Sequence, residues 1–242
     1  MSAEVIPIGG RCERHGPYTG QPIRGFSGRL RVICPGCEAE RQDRAMLTEA
    51  AEREERFRRG LAASGIEALF AGATLDGYRM THPGQVQAVS VCRGYASSPE
   101  RCLILVGTTG TGKTHLASAI LLQRMRRGDA VRYTTAASAV QTVQDVYRSK
   151  DRTVREAVER YSRPDLLCLD ELGMQVETDS AARILTQILD ERYAAQRPTI
   201  LISNRGLDEV AASIGDRAWS RVQEGAVTLV CVWPDYRRTM VK

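Results

Sequence analysis

The run Cys102-Leu-Ile-Leu-Val-Gly107-Thr-Thr-Gly-Thr-Gly-Lys-Thr114-His-Leu-Ala-Ser-Ala-Ile-Leu-Leu122 divides into three parts. Residues 102–106 are apolar, as in a buried strand. Residues 107–114 carry Gly107, Gly110 and Gly112 and end in Lys-Thr. Residues 115–122 read as a helix. The spacing G-x-x-x-x-G-K-T between strand and helix predicts a loop that cradles phosphates. Its glycines let Gly107, Thr108, Thr109, Gly110, Thr111 and Gly112 turn tightly, so that successive N–H groups face one concavity. The helix then starts with the positive end of its dipole toward that concavity. Lys113 would reach the β- and γ-phosphates of ATP, and the Thr114 hydroxyl would hold Mg²⁺. Of the 34 basic residues only Lys113, Lys150 and Lys242 are lysines, so a lysine in this loop is not background.

Downstream, strand and helix patterns alternate. Residues 130–135 read as a strand, then 136–148 and 153–161 as helices. In Pro164-Asp-Leu-Leu-Cys-Leu-Asp-Glu171 four apolar residues run into two acids. That is the pattern of a buried parallel strand presenting carboxylates at its C-terminal end, the edge where the glycine loop also lies. Asp170 would hold Mg²⁺, and Glu171 would act as base or polariser for the attacking water. Residues 180–196 have helical apolar spacing. Pro198-Thr-Ile-Leu-Ile-Ser-Asn204 is another buried strand, ending in an amide. Asn204 there can orient the lytic water and sense the γ-phosphate, or cap the next turn. Arg217 and Arg221 are four residues apart on one helix face. They read either as surface charge or as groups reaching a neighbouring subunit's nucleotide. Residues 227–232 form the last strand, and no length for a C-terminal helical lid follows.

Upstream, Cys12-Glu-Arg-His15 is separated by eighteen residues from Cys34-Pro-Gly-Cys37. Two pairs with two intervening residues each suit one metal ion, so Cys12, His15, Cys34 and Cys37 form a candidate structural zinc site with all four positions filled by protein. So short and polar a segment has no core of its own, and metal would supply its folding free energy. From Glu38 to Gly60 the chain is dense in charge, with Glu40/Arg44, Glu49/Arg53, Glu52/Arg56 and Glu55/Arg59 at i,i+4 in the favourable order. One helix of about twenty residues is expected. It is either a solvated connector or a docking helix working through Phe57 and its neighbours. Residues 64–78 read as loop and turn, and 85–97 as a helix.

The 242 residues hold one α/β domain and a small appendage: 1–60 as a zinc-binding and helical region, 61–98 as linker and entry helix, 99–242 as the nucleotide-binding domain. A net charge of +5 permits a nucleic-acid partner without demanding one. No leader peptide is read at the start, and no apolar run is long enough to span a membrane. Four of seven cysteines lie in apolar surroundings, which with the clustered remainder suggests a reducing cytoplasm.

The order glycine loop, Leu169-Asp-Glu171, Ile202-Ser-Asn204, Gly215-Asp-Arg-x-x-x-Arg221 resembles the AAA+ proteins. Gly110-Thr-Gly-Lys-Thr-His-Leu-Ala117, Leu169-Asp-Glu-Leu-Gly173 and Trp233-Pro-Asp-Tyr-Arg237 resemble more closely the DnaC/DnaI-type replicative helicase loaders and the related IstB transposition ATPases. The resemblance runs from about Ser64 to Arg238 and implies a five-stranded parallel sheet in the order 5-1-4-3-2, flanked by helices and without a lid. It also implies that Lys113 and Thr114 are Walker A, Asp170 and Glu171 Walker B, and Asn204 sensor 1. Arg221 is then an arginine finger, Arg217 its companion, and Arg237 a sensor-2-like residue. The implied activity is ATP-dependent loading of a replicative hexameric helicase onto single-stranded DNA, with the loader self-assembling. An IstB-type transposition helper on duplex DNA and an ATP-switched adaptor are the alternatives. After Asp170-Glu171 some loaders carry an aromatic or hydroxyl residue for DNA. Here residues 176–181 hold no aromatic, so Thr178 is left to meet a phosphate and base stacking is not expected.

Overall fold

The computed structural model describes residues 8–20, 23–24, 30–31, 33–148, 153–174 and 178–236. Two compact units divide at Arg56 and Phe57. In the first, strands β1 (Ile8–Cys12) and β2 (Gly16–Gly20) pair antiparallel through the turn at 13–15. A minimal pair, β3 (Ile23–Arg24) and β4 (Leu30–Arg31), follows.

Helix α1 spans Pro35–Ser64, thirty residues rather than about twenty. Gly60 does not end it, because a Cβ there would meet only the Met125 side chain and the helix continues into apolar packing. Its ion pairs are Glu38–Arg41 at 2.7 Å and Glu49–Arg53 at 2.9 Å. Glu40 turns not to Arg44 but to Arg14 and His15. The docking role expected for Phe57 is corrected: its ring is buried, with the Arg126 guanidinium 4.1 Å above it. Met46 and Leu47 are the exposed apolar residues of α1.

The second unit is a sheet between two helical layers. Its strands are β5 (Cys102–Gly107), β6 (Val131–Thr135), β7 (Leu166–Asp170), β8 (Thr199–Ser203) and β9 (Val227–Cys231). All pair in parallel, in the order β6-β7-β8-β5-β9. Numbered within the sheet this is 5-1-4-3-2, as the resemblance implied. β7 and β8 are buried throughout, which is why they read as unbroken apolar runs.

Side chains alternate between faces. Leu103, Leu105, Tyr133, Leu166, Cys168, Ile200 and Ile202 pack toward α2 (Pro83–Ser97) and α3 (Lys113–Arg126). Ile104, Val106, Leu167, Leu169 and Leu201 pack in the opposite layer. That layer holds α4 (Ala136–Arg148), α5 (Val154–Ser162), α6 (Asp179–Ala194), α7 (Leu207–Ile214) and α8 (Asp216–Gln223). The expected loop before α2 contains one 3-10 turn, Ala68–Phe70. No described helix is long and apolar enough to cross a membrane.

Arg192 of α6 is 1% exposed. Its guanidinium donates to Thr199 Oγ1 at 2.8 Å and to the carbonyls of Tyr161 (3.1 Å), Ser162 (3.3 Å), Pro164 (2.7 Å) and Pro198. Those acceptors close the end of α5 and the starts of β7 and β8. Burial lowers its pKa to about 10, and the acceptors replace its lost hydration.

Candidate functional site

Strand periodicity decides where the carboxylates go. Leu166 and Cys168 face α3, so Asp170, two residues on, faces α3 too. The first turn of α3 carries Thr114. Its Oγ1 donates to Asp170 Oδ2 at 2.9 Å, so residues 56 apart meet at one oxygen. Asp170 is 4% exposed. Its Oδ2 also accepts from Tyr133 Oη at 2.8 Å, and its Oδ1 from the Glu171 N–H at 2.6 Å.

The glycine loop has the expected conformation. Gly107 sits at φ 135°, where a Cβ would fall 2.1 Å from the Cys231 carbonyl oxygen, so no other residue fits. Gly110 and Gly112 also have positive φ. Lys113 is 4% exposed, and its ammonium donates to the carbonyls of Gly107 at 2.8 Å and Thr108 at 2.7 Å. Burial lowers its pKa, while Cys231 and Asp170 act in the opposite direction. A buried ammonium on a glycine loop at a helix start, with a hydroxyl and a carboxylate in contact nearby, fits a phosphate chain with a divalent cation.

Three further groups hold the loop from outside. The Thr111 carbonyl accepts from Tyr78 Oη at 2.6 Å and from Trp233 Nε1 at 2.8 Å, both buried. The Tyr236 N–H donates to the Gly110 carbonyl at 3.0 Å. Burial raises the Tyr78 pKa to about 12, so its phenol remains a donor. Sequence reading quoted Trp233 and Tyr236 only as marks of resemblance and passed over Tyr78 and Tyr133.

Glu171 is exposed at φ 59°, a left-handed conformation uncommon for a non-glycine residue. The turn is held by Leu172 N–H to the Ile202 carbonyl and Met174 N–H to the Glu171 carbonyl. Asn204 is exposed and follows β8, which lies between β7 and β5. Strand order therefore sets it between Asp170 and the glycine loop.

Arg217 and Arg221 lie on α8 and do not join this cluster. Both pair with Asp190 of α6, Arg217 Nε at 3.2 Å. Arg221 also lies 5.2 Å over the Tyr193 ring. Arg217 is largely exposed, Arg221 one-third. Arg237 falls outside the described residues. Thr178 is occupied as the cap of α6, its Oγ1 accepting from the Ala181 N–H at 3.1 Å. The phosphate contact expected of it would compete with that cap.

In the first unit Cys12, His15, Cys34 and Cys37 converge, with donor atoms all within 4.8 Å of one another. His15 Nδ1 lies 3.7, 3.6 and 3.5 Å from the sulfurs of Cys12, Cys34 and Cys37, and Cys12 Sγ is 3.5 Å from Cys37 Sγ. A tetrahedral zinc with Zn–S of about 2.3 Å and Zn–N of about 2.0 Å has ligand–ligand edges of about 3.5 to 3.8 Å. The donor set fits the ion in kind and in size. His15 Nε2 lies 3.2 Å from Glu40 Oε1, and Arg14 Nη1 2.9 Å from Glu40 Oε2. That is the carboxylate–histidine arrangement that orients a metal-bound imidazole. The His15 ring lies against Gly36, where a Cβ would be 2.7 Å from its Cγ. Backbone N–H groups of His15 and Arg14 lower the Cys12 pKa to about 6. Hydrogen bonding with Cys12 raises the Cys37 thiol to about 11.

The chain is similar to known proteins over most of its length. The family of IstB-like ATP-binding proteins matches residues 40–222. The replicative helicase loader DnaC of Escherichia coli K12 is 31% identical over 205 residues, covering 82% of this chain and 84% of DnaC. DnaC of Buchnera aphidicola subsp. Baizongia pistaciae is 30% identical over 188 residues, 76% of each chain. The crystal structure of the DnaC helicase loader superposes with a TM-score of 0.60 at 24% identity, over 68% of this chain and 99% of that one, a likeness of fold.

Proposed function

Because the chain belongs to the family of IstB-like ATP-binding proteins, we propose that it is an ATP-dependent loader placing a replicative hexameric helicase on single-stranded DNA. The observation that carries this reading is the extent of the likeness to the loader DnaC, which spans the sheet and both helical layers rather than the glycine loop alone.

At the nucleotide, backbone N–H groups of residues 107–112 and the Lys113 ammonium bind the phosphates of ATP. Thr114 and Asp170, already in contact, hold Mg²⁺. When bound, the ion neutralises charge on the β- and γ-phosphates. Glu171, exposed just past the end of β7, polarises the attacking water. Asn204 orients that water from the neighbouring strand. Arg221, supported by Arg217, serves the nucleotide of an adjacent subunit, because in its own chain it is tied to Asp190 on α6. Arg237 contacts nucleotide as a sensor-2-like residue. Hydrolysis is slow until subunits assemble, since each site then lacks its arginine.

Zinc held by Cys12, His15, Cys34 and Cys37 folds the amino-terminal unit. That unit, roughly residues 1–60, grips the helicase, with exposed Met46 and Leu47 as apolar contacts on α1. Residues 61–98 lead into the ATPase core at 99–242.

Light scattering after gel filtration tests the reading. The protein is mixed with its host's replicative helicase, with and without ATP and Mg²⁺. A joint complex that is lost from a chain lacking residues 1–56 supports the loader and its grip. No complex, but ATP-dependent assembly on duplex DNA, would replace it with the transposition helper.

A further inference from the structure

We propose that Tyr133 is a positioning residue for the magnesium-holding carboxylate: its buried phenol fixes Asp170 in the orientation that meets Thr114 at the glycine loop. The proposal rests on the reading of Asp170 as a magnesium ligand.

Asp170 accepts three hydrogen bonds, and they are not equivalent. The Glu171 N–H holds the other oxygen, Oδ1, from the backbone of the next residue. Thr114 Oγ1 reaches Oδ2 at 2.9 Å, but this hydroxyl is also the one that would share its lone pairs with the ion. Tyr133 Oη reaches the same Oδ2 at 2.8 Å and has no other task. Among the described residues it is the side-chain donor to Oδ2 that the ion does not share, so it fixes that oxygen in the loaded site.

The anchor is stiff. Tyr133 lies at the centre of β6, where its Cα pairs with Cys168 of β7, and it faces α3 as Cys168 and Asp170 do. The ring is 6% exposed and packs in the core layer beneath α3. Only two torsions separate the phenol from a strand paired along its length. A water in its place would have none of this constraint.

Phenylalanine at 133 keeps the ring and removes only the donor. A buried carboxylate then loses its fixed partner while the phosphate-binding N–H groups and Lys113 are untouched. The effect should appear in metal affinity and not in metal-free nucleotide affinity.

The test compares Tyr133→Phe, Asp170→Asn and the double variant in the full chain. A fluorescent methylanthraniloyl-ATP is titrated in EDTA and across a magnesium series, with thermal unfolding recorded alongside. For Tyr133→Phe the affinity in EDTA should match wild type, and the magnesium midpoint should rise about three- to tenfold, the range of one charge-assisted hydrogen bond partly replaced by water. Asp170→Asn should raise it further, and adding Tyr133→Phe to it should change nothing more. If Tyr133→Phe leaves the midpoint unmoved while Asp170→Asn shifts it, the role of Tyr133 is overturned and that of Asp170 stands. If Tyr133→Phe lowers affinity equally with and without magnesium, together with the melting temperature, the residue is only part of the core. If Asp170→Asn leaves the midpoint unmoved, the reading of Asp170 falls and the proposal with it.

Discussion

Stripping metal from the Cys12–His15–Cys34–Cys37 cluster should unfold the residues around it and leave the nucleotide-binding unit standing. Among the described residues up to Arg56, Cys34 is the one buried side chain, and it is itself a ligand. Hydrophobic burial there is therefore close to nothing, while structural zinc binds with an apparent free energy of about 10–16 kcal/mol near neutral pH. That exceeds anything else the hairpin offers: exposed pairs such as Arg14–Glu40 are worth about 0–1 kcal/mol. The second unit has two core layers of its own. Purified protein should hold one zinc per chain, and X-ray absorption should show three sulfurs at about 2.3 Å and one nitrogen at about 2.0 Å. After chelation, hydrogen exchange should lose protection over residues 8–20 and the first turn of α1, but keep it over β5, β7 and β8. The main thermal transition should stay in place. Protection of residues 8–20 that survives in metal-free protein would refute the reasoning, and so would a different ligand count.

Gly107→Ala places a methyl 2.1 Å from the Cys231 carbonyl at a φ of 135°. It should cost about 2 kcal/mol or more and abolish nucleotide binding, checked by calorimetry and thermal unfolding. Arg192→Met strands carbonyls at the ends of three elements. At about 1–3 kcal/mol for each unsatisfied buried acceptor, a loss of about 3 kcal/mol or more is expected, readable as a denaturant midpoint shift without change in slope. Arg221→Ala should reduce turnover of the assembled protein by about a thousandfold or more while leaving ATP affinity of the single chain intact. Mixing it with Lys113→Ala chains, which keep the arginine, should recover activity, and a mixture that stays inactive refutes service in trans.

Much of this site is legible along the chain because its parts are local. Gly107 to Thr114 carries loop, lysine and hydroxyl within eight residues, and Cys12/His15 and Cys34/Cys37 carry metal-ligand spacing. The helix at 35–64 was misjudged in length because Gly60 is a weak stop: a single glycine costs a helix about 1 kcal/mol, less than the packing of Phe57 returns. Phe57 was offered as a docking residue because an apolar residue in a charged helix looks the same whether it meets a partner or its own core. Glu40 was assigned to Arg44 by helical spacing, yet the metal knuckle places Arg14 and His15 within its reach. Thr178 was left for a phosphate because capping depends on where α6 begins.

The sequence by itself determined the alternation of strand and helix, the glycine loop, the acids at the end of β7 and the four side chains of the candidate metal site. Each of these rests on short-range spacing, where periodicity and covalent geometry leave few choices. Only the tertiary structure decided that Thr114 and Tyr133 share one oxygen of Asp170, that Tyr78 and Trp233 grip one carbonyl of the loop, and that Arg221 is held by Asp190. Those contacts join residues 31 to 122 positions apart. They follow from sheet order and from which face each side chain takes, properties that exist only once the parallel strands have found their register.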